Sequence, residues 1–253
     1  MKPLYFLLSV SLVLMALASP AMAAKHKFFL KNGDRVCFYG DSITEQRLYT
    51  TFTESYITTR YPHLKLKFVN AGVGGDKVGG GWAGPIDLRL KRDVFPFKPT
   101  VVTIMLGMND ACYHPWSKSI FKLYAKGYIH IINSLKAHLP GVRIVLIEPS
   151  AFDDVTQKAG FPLHLPWLHP HTNKLDDSHG GYNDVLRRYS AFVRKLAAKY
   201  KLLCVDFNTP LVNAIKAAKA INPAMAGQII PGRVHPAAAG QLIMSQQLLQ
   251  GLA

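Results

Sequence analysis

Short apolar runs alternate along this chain with longer stretches in which apolar residues return every three or four positions. The short runs, at residues 36–39, 64–69, 101–106, 142–147 and 202–207, are bracketed by turn formers and read as strands. The longer stretches, at 48–61, 120–138, 182–200, 211–220 and 236–249, read as helices, and a shorter one at 87–94 is cut off by Phe95-Pro-Phe-Lys-Pro99. The first helix stops at Tyr61-Pro62, because the residue before a proline is pushed away from helical geometry. The run at 101–106 is almost continuously apolar, as a parallel strand buried on both faces should be. Strands alternating with helices of this length predict one parallel sheet of about five strands, covered on both faces. In such open sheets, ligands collect beyond the carboxyl ends of the strands.

The first strand runs directly into Gly40-Asp41-Ser42 and a helix start. Gly40 permits a tight turn, and the opening N–H groups of a helix have no intrahelical partners. Ser42 therefore stands beside a partly positive N-terminus, a good place for a reactive hydroxyl. Ser and Asp are equally common there as ordinary caps, so this turn decides nothing by itself. The second strand ends in Asn70-Ala-Gly-Val-Gly-Gly-Asp76, with Gly79-Gly80-Gly81 beyond it, and the backbone N–H groups of such a turn can approach a ligand closely. The third ends in Gly107-Met-Asn-Asp110, and His235 stands at a loop-to-helix junction near the end of the chain. Acyl transfer needs a nucleophile, a base to take its proton, and donors for the charge that develops on the carbonyl oxygen. Ser42 can supply the first and His235 the second. The N–H groups of Ser42 and Gly75, with the side-chain amide of Asn109, can supply the third. Ser42, Gly75 and Asn109 all follow strand ends, so they are expected to converge on one sheet edge.

On these residues the chain resembles the SGNH or GDSL hydrolase family of esterases and lipases. Gly40-Asp-Ser-Ile-Thr44 looks like the first family block, Asn70-Ala-Gly-Val-Gly-Gly-Asp76 the second, Gly107-Met-Asn-Asp110 the third and Val234-His235-Pro236 the last. The resemblance implies a flavodoxin-like three-layer α/β/α sandwich and ester hydrolysis without a metal or cofactor. It also implies Ser42 and His235 as catalytic residues, with Ser42, Gly75 and Asn109 as the oxyanion hole. One block departs from the pattern. The family's last block reads Asp-x-x-His, whereas here the position three before His235 is Gly232, and residues 230–236 contain no carboxylate. In serine proteases, replacing the acid by its amide lowers turnover about 10⁴-fold, or roughly 5.5 kcal/mol. Three readings follow. A main-chain carbonyl near Gly232 accepts the Nδ1–H of His235, as carbonyls often do for histidines; a carboxylate from elsewhere, such as Asp110, Glu148 or Asp154, reaches the ring; or the protein is slow, or only binds its ligand.

Composition narrows the setting. The sequence has 30 Lys and Arg against 15 Asp and Glu, a formal net charge of +15, which attracts anions at long range without specifying a fold. The basic residues are scattered through helical and strand patterns and no nucleic-acid-binding motif is present, so no nucleic acid partner is expected. Cys37, Cys112 and Cys204 are odd in number and lack Cys-x-x-Cys spacing; Cys37 and Cys204 read as small buried hydrophobes, with Cys112 the one open to solvent. Residues 1–23 read as a signal peptide, with Lys2, an apolar core at 4–17 and an Ala21-Met22-Ala23 cleavage site. Residues 24–253 then form one hydrolase domain, secreted or periplasmic, without stable membrane insertion once the leader is removed.

An irregular insertion, at 149–156 and 161–171, carries aromatic rings and histidines and reads as a wall of the substrate site. The spacing of His164, His169, His171 and His179 is poor for zinc, so no metal is expected. Trp82, Tyr113 and Trp116 lie near the expected pocket and are candidates for stacking on sugars. The chain therefore reads as a serine esterase for small acyl groups, acetyl above all, carried on a small-molecule or polysaccharide ester. The alternatives are a lysophospholipase or thioesterase-type acylhydrolase, and a catalytically weak glycan-binding pseudoenzyme.

Overall fold

The computed structural model describes residues 28–156 and 181–253. The expected leader at 1–23, and His164, His169, His171 and His179 of the insertion, lie outside the described residues. Every element below belongs to the unit Leu30–Leu252.

The strands are β1 (Arg35–Gly40), β2 (Lys67–Gly72), a short antiparallel ribbon of β3 (Gly80–Gly81) and β4 (Gly84–Pro85), then β5 (Val101–Met105), β6 (Arg143–Ile147) and β7 (Leu203–Val205). The helices are α1 (Ser42–Glu45), α2 (Leu48–Arg60), α3 (Ile86–Arg89), α4 (Lys118–His138), α5 (Gly181–Tyr200), α6 (Asn208–Ile221), α7 (Pro223–Ala226) and α8 (Ala238–Leu252). Five strands form one parallel sheet in the order β2-β1-β5-β6-β7, flanked by helices as a three-layer α/β/α sandwich. From β1 the chain steps outward to β2, then returns to the other side of β1 and continues through β5, β6 and β7. The β1–β5 boundary is thus the place where the direction of winding reverses, and a crevice opens there beyond the strand ends.

Burial explains the layers. All five residues of β5 are buried, as its almost continuously apolar run requires. Helix α4 begins at Ser117, whose hydroxyl accepts the Ile120 N–H, and it buries Tyr124, Tyr128, Ile131, Ile132 and Leu135, a stripe at helical spacing. Tyr124 and Tyr128 bury whole rings and satisfy their hydroxyls by donating to the Leu106 and Ile104 carbonyls, each at 3.1 Å. Helices α2 and α8 pack together, with Thr53 and Ser245 hydroxyls 2.9 Å apart in the contact.

Three expectations shift. The second strand starts at Lys67 and runs on to Gly72, because residues 64–66 are spent in a turn in which the Leu64 N–H donates to Tyr61 O and the Leu66 N–H to Leu64 O. The short helix expected at 87–94 begins at Ile86 and opens after Arg89 into a wide π turn, Leu90–Val94, that buries Leu90 and Val94. Cys204 is half-buried rather than buried, whereas Cys37 is enclosed completely.

Candidate active site

The serine corner is built by the turn that follows β1. A Cβ at Gly40 would sit 2.2 Å from Thr44 Oγ1 and 2.9 Å from the Met105 carbonyl, so glycine is what lets α1 fold back over the strand end. Asp41, not Ser42, caps the helix, its carboxylate accepting the Ile43 N–H at 3.0 Å. This leaves the Ser42 side chain uncommitted to capping, and its Oγ lies 2.8 Å from His235 Nε2. Burial pushes the Asp41 carboxyl up to about 8, so it is largely neutral at pH 7.

Neighbouring polar groups pin this corner. Asn70 Nδ2 donates to the Thr44 carbonyl at 2.7 Å, and Gln241, fully buried on α8, donates to Ile43 O at 3.4 Å and Gln46 Oε1 at 2.7 Å. The same Gln241 accepts the Tyr49 N–H at 3.1 Å, tying the helix that follows His235 to α2 as well. Sequence reasoning missed Gln241. Its signal was a polar residue in register with the buried stripe of Met244, Ser245 and Leu248 on the same helix.

The two remaining candidate donors stand at the adjacent strand ends. Gly75 has φ +70, and an added Cβ would collide with the Trp82 indole at 2.8 Å, so the ring lies directly over the glycine turn. Trp82 remains 67% exposed there. Asn109 is held at both ends of its amide, with Nδ2 donating to the Asp76 carbonyl at 3.0 Å and Oδ1 accepting the Tyr113 hydroxyl at 3.1 Å. An amide nitrogen carries two hydrogens, so one donor is left to point into the crevice. Neither the Ser42 nor the Gly75 N–H has a protein acceptor among the described residues.

Beneath this turn lies a charged cluster that the sequence pattern did not announce. Arg89 is wholly buried; its Nε donates to Asp76 Oδ2 at 3.0 Å, its Nη2 to the Ala71 carbonyl at 2.8 Å and its Nη1 to Asp93. Tyr39 also donates to Asp76 Oδ2, at 3.1 Å. A buried guanidinium is costly unless its donors are met, and here they fasten the glycine turn to the sheet. Asp110 accepts the Val78 N–H at 2.9 Å, and burial pushes its carboxyl up to about 7.

His235 contrasts with all of this. Burial lowers its pKa below 6.5, so the ring is neutral at pH 7 and Nε2 can accept the Ser42 proton. Among the described residues no carboxylate or carbonyl accepts a hydrogen bond from its Nδ1. The three carboxylates considered from sequence are engaged elsewhere. Asp110 caps Val78, Glu148 pairs with Arg194 at 2.5 Å, and Asp154 accepts from Arg233 at 3.0 Å and from the Asn183 N–H at 2.7 Å. A main-chain carbonyl near Gly232 does not take the role either.

The aromatic candidates separate. Trp82 sits over the glycine turn, largely exposed. Tyr113 is turned inward to Asn109, its ring 5.0 Å from that of Tyr182, and it serves the crevice through that amide. Trp116 packs on Phe121 at 5.0 Å and Tyr189 at 6.3 Å, with Arg188 5.1 Å from its ring, because this is the apolar seam between α4 and α5.

A serine hydroxyl within reach of a neutral imidazole at a winding reversal, with the Gly75 turn and Asn109 at the neighbouring strand ends, is equipment suited to acyl transfer. The GDSL-like Lipase/Acylhydrolase family matches residues 38–243, from the strand before Ser42 to the helix after His235. The chain belongs to this family. As a member it is a serine ester hydrolase. This GDSL-like hydrolase is 24% identical over 242 residues to the acetylxylan esterase of Geobacillus stearothermophilus, covering 87% of this chain and 94% of that enzyme. The crystal structure of that enzyme has a TM-score of 0.65 at 22% identity, covering 89% of this chain and 96% of that one. Two solved variants of it, described as catalytic mutants, replace a serine and an aspartate. A gut microbial diltiazem-metabolizing enzyme gives a TM-score of 0.70 at 26% identity over 88% of this chain, which spans about half of that protein, 47%.

Proposed function

We propose that the protein is a secreted esterase that removes small acyl groups, acetyl above all, from carbohydrate esters. The observation that carries the reading is the 2.8 Å contact between Ser42 Oγ and His235 Nε2 at the mouth of the β1–β5 crevice. His235 takes the proton of Ser42 as Oγ attacks the ester carbonyl carbon, and the carbonyl electrons move to oxygen. That oxyanion is met by the Ser42 and Gly75 N–H groups and by Asn109 Nδ2. The tetrahedral adduct expels the sugar oxygen, which takes the proton back from His235, and water activated by the same imidazole then hydrolyses the acyl-serine.

The carbohydrate preference is supported by the exposed Trp82 face beside the oxyanion turn, suited to stacking on a sugar ring, and by the acetylxylan esterase relative. Secretion is supported by Lys2, the apolar run at 4–17 and Ala21-Met22-Ala23. The Nδ1 of His235, without a hydrogen-bond partner among the described residues, favours a second reading, a slow enzyme whose main task is to hold a glycan.

Hydrolysis of acetylated xylooligosaccharides, 4-nitrophenyl acetate and a lysophospholipid, each by the parent and by Ser42→Ala, tests both. The first reading expects acetyl release from the sugar esters to exceed that from the lysophospholipid and to fall about 10³-fold or more in Ser42→Ala. Sugar binding with no release, unchanged in Ser42→Ala, would establish the second.

A further inference from the structure

We infer that Arg233 is the positioning residue that holds His235, to which no carboxylate among the described residues bonds, an inference that rests on the Ser42–His235 reading above. The turn bearing the histidine is not an ordinary loop. Gly232 and Arg233 are consecutive residues in the left-handed region, at φ +70 and +72. For an arginine this is strained backbone, which persists only where the surroundings over-determine it. The surroundings here do so. Arg233 is 5% exposed, its Nε donates to the Asp153 carbonyl at 3.0 Å, its Nη2 donates to Asp154 Oδ1 at 3.0 Å, and its guanidinium lies 4.6 Å from the Phe152 ring centroid. Its own carbonyl accepts the Asp153 N–H at 2.9 Å.

The clamp therefore grips the peptide on both sides of the Arg233 Cα. Four residues further on, the Ala237 N–H closes the turn on the Ile229 carbonyl at 3.0 Å, with Val234 buried at 1% exposure. His235 is left on a short backbone span fixed at both ends, its ring positioned from its Cα rather than from its Nδ1. An Asp-x-x-His acid would orient the ring through the side chain; here the backbone does it. A buried arginine sharing a carboxylate two residues from the candidate base is expensive as mere packing. As the frame for an otherwise untethered imidazole, it has a reason.

The experiment is a double-mutant cycle between Arg233→Lys and Gly232→Asp on the mature protein, with Asp154→Asn as a gentler break of the same clamp. Aspartate tolerates positive φ better than most residues, and position 232 is where the family's acid stands. Hydrolysis of 4-nitrophenyl acetate gives kcat and KM, and the ¹⁵N signals of the His235 ring report its tautomer whether or not turnover is seen. Arg233→Lys is expected to lower kcat about tenfold with KM nearly unchanged, and to convert a single Nδ1–H tautomer into a mixture. Asp154→Asn is expected to do the same more weakly. In the Gly232→Asp background, where a carboxylate can hold the ring directly, the loss from Arg233→Lys should shrink to within about threefold. An equal loss in both backgrounds would overturn the inference, since Arg233 would then be supporting the fold alone; so would an unchanged His235 tautomer in Arg233→Lys. Absence of Ser42-dependent turnover in the parent, with the tautomer still shifting in Arg233→Lys, would remove the esterase mechanism and leave the positioning role standing.

Discussion

The serine corner and the histidine turn meet across 2.8 Å yet are built on different principles. At the corner, side chains do the fixing. Asp41 caps the helix, Asn70 and Gln241 hold its carbonyls, and Asn109 is gripped at both ends of its amide. At the turn, the functional ring has one side-chain partner among the described residues, Ser42, and its support comes through main chain and a neighbouring arginine. Charge developing on an oxyanion must meet donors that are already in place, because donors that reorganise during the reaction give back part of what they stabilise. A general base has a looser requirement: its lone pair must point at the proton and its neutral form must be populated. The chain has kept the costly preorganisation where charge develops and simplified it where a proton moves.

The largest effect expected from breaking this contrast falls on the corner. Asn109→Ala removes a donor whose position is set by Asp76 and Tyr113, and kcat for 4-nitrophenyl acetate should fall about 10²–10³-fold with little change in KM. A loss below tenfold would mean that the amide does not face the developing charge and that Tyr113 and Asp76 are holding it for structural reasons only.

A smaller effect concerns the pH at which the base works. Burial lowers the pKa of His235 below 6.5, and no carboxylate opposes that shift. The neutral, proton-accepting ring therefore persists as pH falls past 6.5, and the acid limb of kcat/KM should lie below that value. Gly232→Asp places a negative charge near the imidazolium and favours its formation, so the limb should move upward in pH. If the two profiles coincide, the new carboxylate has not reached the ring.

The sequence showed the sheet, its five strands and the four blocks because these follow from local signals. A continuous apolar run makes a buried parallel strand, and glycines mark close approach. It set an expectation that Ser42, Gly75 and Asn109 share one edge, because all three follow strand ends. What it did not show are contacts between residues far apart in sequence. Gln241 reaches back to α1 from about 195 residues further along the chain, Arg89 serves Asp76 from inside a broken helix, and Tyr113, a stacking candidate by sequence, has its hydroxyl on Asn109. Each is a polar or aromatic side chain on an apolar face, where pattern alone cannot name the partner. The question left by Gly232 had the same form, since its answer depends on Asp153 and Asp154, about 80 residues earlier in the chain.

The smallest effect is on stability and bears only on the corner. Burial raises the carboxyl of Asp41 to about 8 and that of Asp110 to about 7, against an unperturbed 3.8. Between pH 4 and 8 the folded protein thus retains protons that the unfolded chain releases. The stability that these two groups contribute falls as pH rises through that window, being fullest below about 4 and lost by about 8. Asparagine at position 41 can still accept the Ile43 N–H and has nothing to ionise, so Asp41→Asn should show a shallower decline. Urea midpoints at pH 5 and pH 8.5 measure it. The variant should approach the parent at the lower pH and exceed it at the higher, whereas equal slopes would mean that Asp41 stays ionised in the fold and that its cap is a charged one. In that case the N-terminus of α1 would already carry a negative charge beside Ser42, opposing the oxyanion that the corner is arranged to hold.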